Sequence, residues 1–166
     1  MPPRSLLLIL AAALISCAAR AGTLDDAPFR VVLPDPAWRL EDSAAQPMGS
    51  GVAIVAAVTN SNALITSLVI KTDTPDHSGS ALDQICAGIT DSFANPSVKV
   101  LSQEDTTFLG FKARKFAYLI TQGTKVAYNE AMVFLSDTAG WTIACTGPLD
   151  KKSQIQQAFT MYHKTQ

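Results

Sequence analysis

The segment Ser80 to Asn95 has helical periodicity and lies among segments of strand character. Its apolar residues recur at the three- and four-residue spacing of an amphipathic helix: Leu82, Ile85, Cys86, Ile89 and Phe93. Ser80 is a favourable N-cap, and Pro96 disfavours a continuation of the helix past Asn95. A helix that interrupts groups of strands indicates a mixed α+β domain.

The segments around this helix have the composition of strands and are separated by short turns. Gly51–Thr59 and Ala63–Lys71 form a predicted hairpin around Asn60-Ser61-Asn62. Both segments are apolar on both faces, which indicates a sheet covered on each side. Strand character resumes after the helix at Val98–Leu101, Ala113–Thr121, Lys125–Leu135 and Trp141–Thr146. Because short turns join antiparallel neighbours, we expect a mainly antiparallel sheet. A closing helix is predicted from Asp150 to about His163.

The first 21 residues have the pattern of a signal peptide. Arg4 precedes an apolar run that is too short to span a bilayer but has the length of a signal-peptide core. Two processing sites are open: cleavage after Ala21, or cleavage before Cys17, where Leu14-Ile15-Ser16-Cys17 resembles a bacterial lipoprotein box. Residues 22–28 are then a short tether, and residues 29–166 form a single predicted domain.

Export and charge limit the class of partner. A bacterial signal peptide predicts a periplasmic location, with attachment to the outer membrane if lipid is added at Cys17. Without residues 1–21 the chain carries 11 Lys or Arg and 14 Asp or Glu, a formal charge of −3. The one basic cluster, Lys112, Arg114 and Lys115, is too small to hold a phosphate backbone. Nucleic acid is therefore not an expected partner.

Several anchors along the chain resemble one superfamily of proteins. They are Phe29-Arg30-Val31-Val32-Leu33-Pro34 with Trp38, the hairpin, the helix near 80–95, and Trp141-Thr142-Ile143-Ala144-Cys145 before a final helix. Their order is similar to that of the PsbP and DcrB-like superfamily over almost all of residues 29–166. The resemblance implies an antiparallel sheet between helices. It also implies protein binding, since the superfamily includes photosystem accessory subunits, envelope lipoproteins, secretion-system adaptors and toxin-neutralising proteins.

The sequence shows no grouping of catalytic or metal-ligating residue types, so we expect no catalytic site, no metal site and no cofactor. His77 and His163 are the two histidines, far apart along the chain. Asp73, Asp76 and His77 form a local cluster that we interpret as a solvated turn, with weak cation binding as the alternative. Glu130 interrupts an apolar strand and is predicted to face water from an edge strand, with an interior carboxylate as the alternative.

Cys86 and Cys145 are the two cysteines of the predicted domain, and export delivers them to an oxidising compartment. Cys86 lies on the apolar stripe of its helix, while Cys145 shares a strand face with Trp141 and Ile143. We therefore predict a disulfide between Cys86 and Cys145, with two buried free thiols as the alternative.

These features favour a non-catalytic envelope protein that occludes or holds one protein partner, with an envelope-acting toxin as the leading candidate in an immunity-type role. Two alternatives stay open: an accessory factor of envelope assembly or maintenance, and a small periplasmic hydrolase with a dispersed site. The sequence does not identify the binding residues. The first candidates to test are Asp73, Asp76, His77, Tyr128 and Glu130.

Overall fold

The computed structural model describes residues 24–49, 51–73 and 81–165. The predicted signal peptide, Cys17, the helix cap Ser80, and the pair Asp76 and His77 lie outside the described residues. Within them the strands are β1 (Phe29–Val31), β2 (Trp38–Gly49), β3 (Val52–Asn60), β4 (Ile65–Thr72), β5 (Val98–Phe108), β6 (Phe111–Gln122), β7 (Lys125–Leu135), β8 (Gly140–Pro148) and β9 (Tyr162–Lys164). The helices are α1 (Ala81–Thr90) and α2 (Lys152–Ala158).

Seven strands form one antiparallel sheet in the order β2-β3-β4-β8-β7-β6-β5, and β1 pairs with β9 in a separate antiparallel ribbon. Short turns join β3 to β4, β5 to β6 and β6 to β7, as expected for antiparallel neighbours. The segment that contains α1 connects β4 to the far edge strand β5, so β4 pairs instead with β8. The predicted α+β architecture with a mainly antiparallel sheet is confirmed.

In the described part of the chain, one helix packs on each face of the sheet. We call the two sides the α1 face and the α2 face, after the helix that packs on each. The α1 face places the apolar side of α1 against β6, β7 and β8, and its buried residues include Phe116, Tyr118, Ala131, Val133 and Ala144. The α2 face holds the larger core, which includes Tyr128, Met132, Phe134, Trp141, Ile143 and Ile155. Alternation along each strand sends successive side chains to opposite faces, so both β7 and β8 are buried on both sides.

Phe29 fastens the β1–β9 ribbon to the α2 face. Its ring makes edge contacts with Phe134, Trp141 and Tyr162 at centroid distances of 6.0, 5.4 and 5.6 Å. Residues 24–28, which the sequence analysis assigned to a tether, instead pack on the domain. Leu24 lies against the core, and the Asp26 carboxylate is 3.4 Å from the Lys71 ammonium.

The two edge strands are the elements that differ most from expectation. Sequence analysis predicted no strand at β2, because its central residues are polar and Pro47 interrupts it. Proline is tolerated on an edge strand, where one row of backbone N–H groups has no partner strand. β5 was predicted to end at Leu101 but extends to Phe108, and residues 99–107 are exposed. An exposed edge strand lacks the apolar pattern by which strands are recognised.

Leu64 has an unusual backbone for a leucine. It lies in the β3–β4 turn with φ = 56° and is 71% exposed. A left-handed conformation costs a non-glycine residue about 1 kcal/mol or more. Leu109 has φ = 53° at the β5–β6 turn, but there the side chain packs on the α2-face core. Packing thus explains Leu109 and does not explain Leu64.

The predicted disulfide does not form: Cys86 and Cys145 are both buried free thiols. Cys145 does share a strand face with Trp141 and Ile143, as expected, but that face is covered by α2. The helix that carries Cys86 packs on the opposite face, beside Ala131 and Ala144. The two thiols are therefore separated by the sheet itself, and a disulfide needs Cα atoms within about 7 Å.

This arrangement predicts the reactivity of the thiols. In a chain that begins at Gly22, neither cysteine should react with a thiol reagent at pH 8 while the protein is folded, because both are buried and protonated. In denaturant without reductant, two thiols per chain should react. A count of zero would show that a disulfide forms after all.

Candidate functional site

The described residues with the most concentrated polar contacts surround Glu130 on the α2 face. Glu130 lies in the middle of β7, and 3% of its side chain is exposed. Its Oε1 is 2.9 Å from Lys115 Nζ on the neighbouring strand β6. Its Oε2 accepts hydrogen bonds from the Tyr128 hydroxyl at 2.6 Å and from Gln156 Nε2 at 3.3 Å. The carboxylate is thus held by two strands and by α2.

This position follows from strand alternation and helix placement. Tyr128, Glu130 and Met132 project to the same face of β7, and α2 crosses that face so that Gln156 reaches the carboxylate. Gln156 Nε2 also lies 3.4 Å from the Tyr128 hydroxyl, and Lys152 Nζ stands 5.3 Å from the centre of the Tyr128 ring. Together with Lys115, five polar side chains therefore connect β6, β7 and α2.

One prediction for this region is wrong. Glu130 was expected to face water from an edge strand, but β7 lies between β6 and β8 and the residue is 2% exposed. Tyr128, one of the residues put forward for testing as a partner contact, is 1% exposed. The sequence carried one usable signal, the charge in a strand that is otherwise apolar. Lys115 and Gln156, which contact Glu130, come from β6 and α2. The sequence therefore did not show that a buried Glu130 would have partners for its carboxylate.

The geometry restricts what this carboxylate can do. Lys115 and Tyr128 are its two close partners, and both oxygen atoms are occupied. A general base or nucleophile must reach substrate, whereas this group is almost fully enclosed. Desolvation and the hydrogen bond to Glu130 raise the pKa of Tyr128 above its ordinary value, so its hydroxyl stays protonated as a donor. The arrangement is suited to holding α2 on the sheet.

A second ionic contact holds α1 on the other face. Arg114 lies on β6, with its Nη1 2.8 Å from the Asp83 carboxylate of α1 and its Nε 2.6 Å from the Asp105 carboxylate of β5. The Arg114 hydrogen bond lowers the pKa of Asp105 below its ordinary value. Arg114 and Lys115 of the basic cluster are thus each paired with carboxylates, on opposite faces of the sheet.

The loop cluster before α1 is only partly described. Asp73 is exposed at the end of β4, and its backbone N–H bonds to the Gly51 carbonyl at 2.7 Å. Asp76 and His77 lie outside the described residues. In the described part of the chain no three His, Cys, Asp or Glu side chains are grouped in a way that could hold a metal ion. No helix in that part is long and apolar enough to cross a membrane.

A chain of buried hydroxyl and thiol groups lies beside Glu130. The Cys145 thiol donates to Ser67 Oγ at 3.1 Å, and Ser67 Oγ is 2.6 Å from the Tyr162 hydroxyl. Burial raises the pKa of Cys145 to about 12 and that of Cys86 to about 11, from an ordinary value of 9.0. Burial also raises the pKa of Tyr162. These groups are protonated at neutral pH and serve as packing and hydrogen-bonding groups.

These shifts predict loss of stability at alkaline pH. The unfolded chain releases its thiol protons near pH 9, whereas the folded chain retains them until about pH 11 to 12. Stability is therefore fully present below pH 9 and falls as pH rises through the folded pKa values, by several kcal/mol in total. Urea denaturation between pH 7 and 11 should show this decline. A Cys86→Ala variant should show a shallower decline, and an equal decline would contradict the assignment.

Comparisons with known proteins place the fold. No family model matches the chain, and no curated protein matches it significantly. Among solved structures, cyanobacterial PsbP (CyanoP) from Synechocystis is similar with a TM-score of 0.60 and 15% identity, over 92% of this chain and 99% of that one. LpqN of Mycobacterium tuberculosis, described as involved in cell envelope biogenesis, has a TM-score of 0.56 and 17% identity over 83% of each chain.

A third similar structure is the Ran-binding protein Mog1p of Saccharomyces cerevisiae. Its TM-score is 0.51 at 12% identity, over 85% of this chain and 92% of that one. Identities this low establish a shared fold and not a shared activity. The predicted likeness in fold to PsbP is confirmed.

Proposed function

Because this chain has a PsbP-like fold, we propose that it is a non-catalytic protein of the bacterial cell envelope that binds a protein partner. The observation that carries the proposal is the enclosure of its most concentrated polar cluster. The Glu130 carboxylate, the group best placed for acid–base chemistry, is occupied by Lys115, Tyr128 and Gln156. A rigid sheet with a helix tied to each face loses little entropy when it binds.

The similar structures support this class of function. LpqN is described as involved in cell envelope biogenesis, and Mog1p is described as Ran-binding. The predicted signal peptide supports an extracytoplasmic location. Within this class, the finer proposal is that the partner is an envelope-acting toxin, which the chain occludes in the manner of an immunity protein. The alternative is an accessory factor of envelope assembly or maintenance.

Capture from envelope extract separates these roles. The chain from Gly22, fixed to its partners by a short crosslinker, should retain one protein in a 1:1 ratio if it is an antagonist. Several partners in smaller amounts would favour the assembly factor. Co-expression with candidate envelope toxins from the same genome should then restore growth. Absence of any partner, together with turnover of a peptidoglycan, lipid or peptide substrate, would replace the proposal with the hydrolase.

We also propose that the mature chain is anchored by lipid at Cys17. The support is the Leu14-Ile15-Ser16-Cys17 sequence at the end of the apolar run. The wild-type protein should be found in the outer-membrane fraction, and a Cys17→Ala variant should appear in the soluble periplasm. A Cys17→Ala protein that stays in the membrane would exclude the lipid anchor. Mass spectrometry of the wild-type protein separates a lipid-bearing Cys17 from Gly22 as the first residue.

A further inference from the structure

Three exposed apolar side chains lie at one end of the seven-stranded sheet: Leu64, Val126 and Leu149, which we call the tip patch. They are 71%, 37% and 45% exposed. Leu64 precedes β4, Val126 lies at the start of β7, and Leu149 follows β8, which is the strand between the other two. The strand register aligns their ends.

The alignment can be read from the neighbouring pairs. Ala127 pairs with Pro148, so the next residues outward are Val126 on β7 and Leu149, which directly follows β8 and begins a 3-10 turn. On the other side of β8, a Cβ on Gly147 would lie 3.3 Å from the Leu64 carbonyl oxygen. The three apolar residues thus lie at the ends of three neighbouring strands, on the same end of the sheet.

The backbone conformation and exposure of Leu64 indicate that the tip patch has a function. Its left-handed backbone is unfavourable for leucine, and its exposed side chain makes no compensating contribution to the core. Asparagine or glycine would fit the same turn without this strain. Backbone strain at an exposed apolar residue is typical of positions whose side chain contacts a binding partner.

The charges around the patch indicate what binds there. Lys125 adjoins Val126, while Lys151 and Lys152 follow Leu149, with Asp150 as the one acidic residue among them. The domain as a whole is acidic. At the other end of the sheet the exposed side chains include the carboxylates of Asp73 and Asp137. The tip patch is therefore apolar with a basic rim, on an acidic protein.

We propose that the tip patch binds a protein segment that presents apolar side chains next to Asp or Glu. This inference rests on the proposed function, because it identifies the surface used for a protein partner. Complementary charge at the rim gives specificity and faster association, while the apolar centre contributes affinity. Leu64, the most exposed of the three, contributes the largest apolar contact to the partner.

A membrane surface fits these observations less well. The chain enters the domain at the opposite end of the sheet, where Asp26 is paired with Lys71 beside Trp141, roughly 20 Å along β4 from Leu64. An N-terminal attachment to a membrane therefore starts far from the patch. Interfacial membrane-binding surfaces also rely on Trp or Phe, and the exposed large apolar residues of the described chain are aliphatic.

The proposal can be tested with peptides of defined composition, independently of any natural partner. A twelve-residue peptide of alternating Glu and Leu is titrated into the isotope-labelled chain from Gly22, and a Lys and Leu peptide of equal length serves as the control. The acidic peptide should shift the amide resonances of Leu64, Val126 and Leu149 in a saturable way. Shifts centred elsewhere, or equal shifts with the basic peptide, would overturn the proposal.

Variants give the second measurement. Leu64→Asn should lower the affinity for the acidic peptide about tenfold while the melting temperature is unchanged or raised, because asparagine suits the turn. Lys125→Glu should lower affinity and remove its salt dependence. The matched controls are Val100→Asn, another exposed apolar residue, and Lys112→Glu, at the other end of β6; both should bind as the wild type does.

Two further outcomes separate this proposal from the proposed function. Binding of phosphatidylglycerol vesicles that Leu64→Asn abolishes, without binding of the acidic peptide, would assign the patch to a membrane and overturn the proposal. If the wild-type chain captures a partner from envelope extract and Leu64→Asn captures it equally, the tip patch is excluded while the protein-binding function stands.

Discussion

Replacing Glu130 by alanine should lower the free energy of unfolding by about 2–3 kcal/mol. The variant removes the acceptor of three side-chain contacts and leaves the Lys115 ammonium and the Tyr128 hydroxyl without their partner. The expected loss is smaller than for a fully buried pair, because the Lys115 side chain is 27% exposed and can turn towards water. Equilibrium denaturation in urea measures the change.

Two controls identify the cause of that loss. Glu130→Gln keeps the shape and can still accept from Tyr128, so it should cost about half as much as Glu130→Ala. Glu41→Ala, an exposed glutamate on edge strand β2, should stay within about 0.5 kcal/mol of the wild type. If Glu130→Ala is as stable as Glu41→Ala, the Glu130 carboxylate does not stabilise the fold. The proposal that Glu130 has a structural and not a catalytic role would then lose its support.

Phe29→Ala should have the largest effect, a loss of about 3–4 kcal/mol. Phe29 is 1% exposed, and its ring contacts Phe134, Trp141 and Tyr162. Truncation removes these contacts and leaves a cavity between the β1–β9 ribbon and the sheet. Thermal and urea denaturation should agree on the loss, and hydrogen exchange should show faster opening of β9 than of β7.

Val32→Ala is the matched control for Phe29→Ala. Val32 directly follows β1, is 44% exposed, and bonds to the Met161 carbonyl through its backbone, which the substitution leaves intact. Its stability should be within about 0.5 kcal/mol of the wild type. A small loss for Phe29→Ala would mean that the ribbon is not needed to hold the α2 face together.

The polar cluster and the tip patch are connected through α2. Gln156 contacts Glu130, and Lys152, four residues earlier on the same helix, lies at the rim of the patch. The Glu130 contacts therefore fix the position of a basic residue that the proposed partner would meet. In this view the buried carboxylate supports binding indirectly, by keeping the surface rigid.

Much of the secondary structure could be predicted from local patterns. The predicted strand Lys125–Leu135 has the same bounds as β7, and the predicted helix after residue 80 is observed as α1 followed by a 3-10 turn to Ala94. Trp38, one of the anchors of the resemblance, lies in the core and is 8% exposed. These predictions succeeded because period and composition are properties of neighbouring residues. The predictions missed β2 and the end of β5, because an exposed edge strand does not need an apolar pattern.

The candidate site was less predictable than the fold. Glu130 was recognised as unusual, but its partners come from β6 and α2 as well as from β7, and no local pattern relates these elements. Tyr128 was put forward for testing as a partner contact, and the structure buries it. The tip patch was not anticipated, because Leu64, Val126 and Leu149 are far apart in the sequence and only the strand register brings them to one end of the sheet.

The sequence by itself determined which residues share a face of each strand, since alternation is intrinsic to an extended chain. It correctly placed Cys145 with Trp141 and Ile143. Only the tertiary structure decided which helix covers that face. The connection through α1 carries the chain from β4 to the far edge strand β5, so β8 inserts between β4 and β7 and α1 packs on the face opposite Cys145. The same long-range pairing separates Cys86 from Cys145 and buries Glu130, because contacts between distant segments depend on strand order and not on local pattern.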